Sequence, residues 1–313
     1  IYLFIEKIKR DKNRIDIEEI DEKNISGGYI LKVDHMNING NSVTVAEYWN
    51  SNYLSIGGDS TYFQYYYPKY NEITNDQKNY IQYFIDEFED QLNSTFGIDD
   101  LENKIDFNSA IDFFIIQELS KNIDAYRAST YIYKHKNIVS DKLFFGPVWD
   151  FNYAYGAGSF CEGDQFFGWQ NNSSCGSANP VWFEKFLEDT TYANQLNCRW
   201  KELRNNTLSA EAIFHLTDSL IEITQNARER NFQRWNLSDT IYDMKIIELK
   251  SWIINRLQWL DQNMFGDCDD LNLFLDVKSL VKIVDILGKE ATNKGLQLHI
   301  YDDGSVEKKY LIK

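Results

Sequence analysis

Between Lys121 and Gly156 the chain reads KNIDAYRASTYIYKHKNIVSDKLFFGPVWDFNYAYG, which sets two acids at the edges of apolar segments. Asp124 follows a helix-like run, and Asp150 follows Leu143-Phe144-Phe145-Gly146-Pro147-Val148-Trp149. A carboxylate in such a setting must be paired or hold a cation, because an isolated buried charge is too costly to keep. The acids stand 26 positions apart. That is enough chain for a loop, a β-hairpin and a return to the same cleft. Thr130 to Lys134 reads as the first strand, Asn137 to Asp141 as the turn, and Lys142 to Phe145 as the second strand. The spacing fits a division of labour in phosphoryl transfer. One carboxylate orients or deprotonates a hydroxyl, and the other holds the magnesium that bridges nucleotide phosphates. Spacing alone favours a plainer reading, in which Asp124 caps a helix or turn and Asp150 is a salt-bridged turn residue.

Around this stretch the pattern is mainly helical. Gln77 to Leu92 places Tyr80, Ile81, Phe84, Ile85, Phe88 and Leu92 on one face at helical spacing. Asn108-Ser109 reads as a cap before a helix over Ala110 to Leu119, which delivers Asp124. Ala210 to Arg230 and Ile241 to Asn263 are two long late helices, with Trp252, Leu257, Trp259 and Leu260 as expected core. Trp149 and Trp182 have the chemistry to stack on a ligand, although buried aromatics more often pack.

With 313 residues, 43% hydrophobic and 15% aromatic, the chain has material for one large domain and a small one. Its 48 Asp and Glu against 32 Lys and Arg give a net charge of −16. Such a balance lacks the positive charge that neutralises phosphates, so general nucleic-acid binding is excluded. No apolar run reaches membrane-spanning length. Four cysteines fall in two pairs by position, and the four histidines are scattered, which argues against a zinc site. The even count at loop edges points to disulfides Cys161–Cys175 and Cys198–Cys268, the alternative being four buried thiols.

Asn122-Ile123-Asp124-Ala125-Tyr126, Tyr131-Ile132-Tyr133-Lys134 and Gly146-Pro147-Val148-Trp149-Asp150-Phe151-Asn152 resemble the signature blocks of the spore-coat protein H (CotH) kinase-like family. Tyr2 to Arg10 and Gly27 to Asp34 resemble two of its strands. Tyr66-Tyr67-Pro68-Lys69, the helix near Gln77 to Leu92, and Trp252 to Asp261 match further blocks. The likeness runs over residues 1–268. It implies an α+β, atypical protein-kinase-like fold: a mostly helical lobe with short β-hairpins. By resemblance Asp124 is the catalytic-loop acid, Asp150 the ligand of Mg2+ or Mn2+, ATP the phosphate donor, and a protein hydroxyl the acceptor. Kinases place a metal-holding Asn five residues after the catalytic Asp; here that position is Ser129, so Asn152, Asn122 and Ser129 compete for the role, and Asn152 stands nearest the metal acid in the chain. The glycine pairs at Gly27-Gly28, Gly57-Gly58 and Gly156-Ala157-Gly158 do not form a phosphate loop ahead of a helix, and no strand-borne lysine precedes the first blocks. The resemblance therefore implies that the family's N-terminal lobe is missing. Lys7, Lys9 and Arg10, alternating with Ile8, read as the solvated face of a strand.

A second resemblance covers the end. Lys282 to Glu290 followed by Leu298 to Lys313 looks like a short C-terminal sorting domain of the type IX secretion system, with two or three strands and a turn at Asp303-Gly304. It implies a boundary near Asp269 to Asn272, a sorting domain over residues 273–313, the type IX machinery as partner, and an extracellular or cell-surface location. Three classes of function follow: a metal-dependent kinase, a secreted pseudokinase or structural surface protein that keeps the metal site, and a divalent-cation-dependent adhesion or carbohydrate-associated module.

Overall fold

A computed structural model describes residues 5–21, 23–34, 37–38, 41–42, 47–55, 57–94, 101–171, 179–268, 280–285, 289, 295–301 and 306–311. The chain divides into two compact units, Ile1–Cys268 and Asp269–Lys313.

The first unit is built on an antiparallel sheet whose strands lie in the order β4 (Tyr48–Leu54), β5 (Ser60–Tyr67), β1 (Tyr29–Val33), β6 (Thr130–Lys134) and β7 (Leu143–Phe145). Two short strands, β2 (Asn37–Ile38) and β3 (Asn41–Ser42), pair separately. β6 and β7 are the expected hairpin, in register from Ile132 opposite Phe145 to Lys134 opposite Leu143. β1 is central and covered on both faces, so its two sets of side chains serve different layers. Tyr29, Leu31 and Val33 join the main core with Phe63, Tyr65, Ile132, Leu143 and Phe145. Ile30 faces the other way, into a small cluster with Ile8, Ile15, Ile17 and Tyr131. The close approach of this N-terminal segment to Gly28, and of the chain after β6 to Gly27, needs the paired glycines. A Cβ on Gly28 would lie 2.7 Å from the Glu18 carbonyl oxygen, and one on Gly27 would lie 2.2 Å from that of His135.

Seven helices are described: α1 (Asn75–Leu92), α2 (Leu101–Lys104), α3 (Phe107–Ser120), α4 (Trp182–Glu188), α5 (Thr190–Arg204), α6 (Ala210–Trp235) and α7 (Asp239–Asn263). Thr74 and Gln77 form a reciprocal capping box at the start of α1. α3 is apolar around most of its circumference and is the central helix of the core, burying Phe107, Ala110, Ile111, Phe113, Phe114, Ile115 and Leu119. It starts earlier than expected. Its cap is Asp106, whose carboxylate accepts from the Ser109 amide at 2.7 Å, so the Asn108-Ser109 pair lies inside the first turn. Leu257 and Leu260 are core as expected, while Trp252 and Trp259 pack on it only partly buried. The expected strand over Tyr2 to Arg10 is not formed at residues 5–9. Only an isolated bridge joins Arg10 to Ile15, although Ile8 is buried and Lys7, Lys9 and Arg10 are exposed. Alternation set the side-chain directions there, but no neighbouring strand completes a ladder among the described residues.

The second unit contains three antiparallel strands in the order β10 (Val306–Leu311), β9 (Gly295–Tyr301) and β8 (Leu280–Val284). The expected turn at Asp303-Gly304 lies outside the described residues.

Candidate functional site

The α3 helix ends on Lys121, whose left-handed backbone (φ 45°) turns the chain into the loop that carries Asp124. The loop is short and internally bonded. The Asn122 side chain accepts from the Asp124 amide at 3.4 Å, and the Asp124 carbonyl accepts from the Ala128 amide at 3.0 Å. Asp124 is half-buried, and its carboxylate pairs with Arg127 Nη2 at 3.3 Å.

Ser129 follows directly with φ 48°, and its Oγ lies 3.5 Å from Asp150 Oδ2, the outer limit of a hydrogen bond. Asp150 is exposed and also has positive φ, 62°, as does Tyr126 at 69°. Non-glycine residues in this region cost roughly 1 kcal/mol or more each, and such strain gathers where side-chain placement matters more than backbone comfort. The structure thus brings Ser129 to Asp150 and gives Asp124 a partner of its own. Asn152, two residues beyond Asp150, is exposed.

What fixes the loop is a network that spacing and pattern did not reveal. The carboxylate of Glu118 in α3 is fully buried and accepts from the amides of Gln170 (2.8 Å) and Asn171 (2.7 Å) and from the Tyr126 hydroxyl (2.9 Å). Arg256 of α7 reaches the same carboxylate at 3.2 Å and donates to the carbonyls of Phe166 (3.0 Å) and Gly168 (2.7 Å). Burial pulls this guanidinium down to about 10, which still leaves it charged at neutral pH. Lys121 Nζ donates to the carbonyls of Glu162 (2.8 Å) and Phe167 (2.6 Å). α3, the loop after β7 and α7 are therefore tied together beneath Asp124. Glu118 offered the one sequence signal, a charge inside the apolar α3, whereas Arg256 sits among other charges in α7.

A second set of residues flanks Asp150. Asp34, just past β1, is buried and paired with Lys32. Val33 lies opposite Thr130 in the β1–β6 register, so Asp34 enters next to Ser129. The Tyr131 hydroxyl senses both acids: burial first, then Tyr66, Asp34 and Asp150, push it well above the ordinary phenol range. The stride of two along the strand puts Lys32 and Asp34 on one face with Ile30.

Asp150, Ser129 and Asn152 offer a carboxylate, a hydroxyl and an amide, all hard oxygen donors of the kind that Mg2+ or Mn2+ takes. Among the described residues no three His, Cys, Asp or Glu gather around one point. A sparse protein donor set suits Mg2+, which binds through one or two carboxylates and completes its shell with phosphate oxygens and water. Trp182 is no ligand platform: it is buried, stacks on Phe63 at 5.6 Å and donates to Glu89 at 2.8 Å. Trp149 packs partly buried on the cluster around Ile8.

Cys198 and Cys268 are joined as expected, across 70 residues of sequence. Cys161 is also disulfide-bonded, and its expected partner, Cys175, lies outside the described residues. None of the described helices is long and apolar enough to cross a membrane.

No curated protein matches the chain. The comparison with protein families matches residues 1–260 to the family described as CotH kinase protein. Over that span lie the loop with Asp124, the hairpin and Asp150, and the chain belongs to the CotH kinase protein family.

Proposed function

We propose that the protein is a secreted, atypical kinase that transfers the γ-phosphate of ATP to a Ser, Thr or Tyr hydroxyl of an acceptor protein. The observation that carries this reading is that Asp124 and Asp150 flank one hairpin in a chain of this family, Asp124 following a helix anchored by the buried Glu118–Arg256 pair. Asp150 would hold Mg2+ or Mn2+ with help from Asn152 or Ser129; when bound, the cation neutralises charge on the phosphate oxygens. Asp124 orients the acceptor hydroxyl and takes its proton as that oxygen bonds to the γ-phosphorus. The bond from phosphorus to the bridging oxygen breaks, and ADP leaves.

Purified protein incubated with ATP, Mg2+ and a pool of acceptor proteins should transfer phosphate. Asp124→Asn should reduce turnover at least a hundredfold with nucleotide affinity preserved, and Asp150→Asn should weaken metal-dependent nucleotide binding. Full activity in both variants would remove the assignment. The second reading is a pseudokinase or structural cell-surface protein that keeps the cation site. It is favoured by the Arg127 pair on Asp124 and by Ser129 in place of the usual Asn. Secretion is supported by the disulfide pairing. The three-stranded unit at residues 280–311 is consistent with a type IX sorting domain that the secretion machinery would bind.

A further inference from the structure

One face of α7 is packed and another is bare. Ile253, Arg256, Leu257 and Leu260 are its buried side chains and recur at the spacing of a single helical face. On a different side, α6 packs along it through Phe232 on Tyr242, with ring centres 5.8 Å apart, and through Asp218 on Lys250 at 2.6 Å. Thr240, Met244, Ile247, Ser251, Ile254 and Gln258 are separated alternately by four and three residues, so they too share one face. All six are exposed, Ile247 at 68%, Met244 at 55% and Ile254 at 37%. In a chain with 26% charged residues this seam carries no charge along its whole length. Apolar residues at such spacing are what a second helix covers.

The order of residues along the seam says which helix. Turned end for end, polar Thr240 meets polar Gln258, Met244 meets Ile254, and Ile247 meets the small Ser251. The seam therefore matches its own reversed copy at every layer, as an interface about a two-fold axis must. The charges beside it are settled within the chain, Glu248 with Lys245 and Lys250 with Asp218, each at 2.6 Å. Only the C-terminal half of α7 sinks into the body of its own chain, so antiparallel pairing sends the two bodies to opposite ends. With a net charge of −16 on each copy, that separation lowers their mutual repulsion.

We propose that the exposed seam of α7 is an interface between two copies of this chain, packed antiparallel about a two-fold axis between Ile247 and Ser251. Sedimentation velocity of the 313-residue chain at roughly 1 to 300 µM should show a reversible shift from 36.9 kDa to twice that mass, the range that suits a small interface. Ile247→Glu should weaken the dimer at least about tenfold. Its circular dichroism should match the parent and its melting temperature should lie within a few degrees, because the site is exposed and Glu is a good helix former. Ser251→Leu should tighten the dimer severalfold by adding an apolar contact to Ile247 of the second copy. The Thr240→Glu/Gln258→Arg double variant sets opposite charges together in the antiparallel arrangement and like charges together in a parallel one. It should dimerise more tightly than either single variant. A 36.9 kDa species at every concentration overturns the interface, and so does a dimer indifferent to Ile247→Glu. A dimer weaker in the double variant than in both single variants overturns the antiparallel arrangement.

Discussion

Glu89 shows how much a single side chain in this molecule depends on its surroundings. It projects from α1 into the core, accepts from Ser51 Oγ at 2.7 Å and Trp182 Nε1 at 2.8 Å, and burial pushes its carboxyl up to about 7. A raised acid binds its proton more tightly folded than unfolded, so between its ordinary 4.5 and about 7 the native state holds more protons. Stability from this group therefore falls as pH rises through that window, by no more than about 3 kcal/mol. Glu89→Gln should flatten this part of the stability profile, measured by urea unfolding at pH 5 and pH 7.5. An unchanged profile would place the ionised form in the native state throughout. Asp124 and Asp150 stand out in the sequence because they follow apolar runs. Glu89 does not, since a Glu on an amphipathic helix looks solvated until Trp182, distant in the chain, is folded against it. Asp34 escaped for a related reason: only the β1–β6 register places it beside Ser129.

Elements were read best where a local pattern decides them. The hairpin of β6 and β7 lies where alternation and turn residues put it, and α1 and the two long late helices fall within a few residues of their periodicity. The N-terminal segment was misread as a strand because alternation fixes which side chains are buried but not whether a partner strand exists. The pairing of α3 with α7 could not be read for a different reason. Glu118 and Arg256 are 138 positions apart, and nothing local to either names the other as its partner. Their pairing sets the stability of the scaffold under Asp124. Arg256→Met removes the cation and leaves Glu118 buried, which should cost about 3–5 kcal/mol in urea unfolding. Adding Glu118→Gln should cost less than the sum of the two single changes. A loss below about 1 kcal/mol for Arg256→Met would mean that the amides of Gln170 and Asn171 satisfy Glu118 without it.

At the scale of the molecule, a helical body on a five-stranded antiparallel sheet presents one face of that sheet to the core and the other to a thin N-terminal layer. The Cys198–Cys268 bond closes a long loop around α6 and α7, a constraint on the unfolded chain worth about 4 kcal/mol. The catalytic proposal places its chemistry at the end of the sheet, where β1 and β6 run out at Asp34 and Ser129 and the chain returns from β7 to Asp150. The most direct measurement is calorimetric titration of ATP into the protein with Mg2+, with Mn2+ and with chelator, alongside Asp150→Ala. Binding that requires the cation and is lost in Asp150→Ala is the expected result. Binding that is indifferent to the cation or survives in Asp150→Ala, or no binding under any condition, would contradict a working metal–nucleotide site.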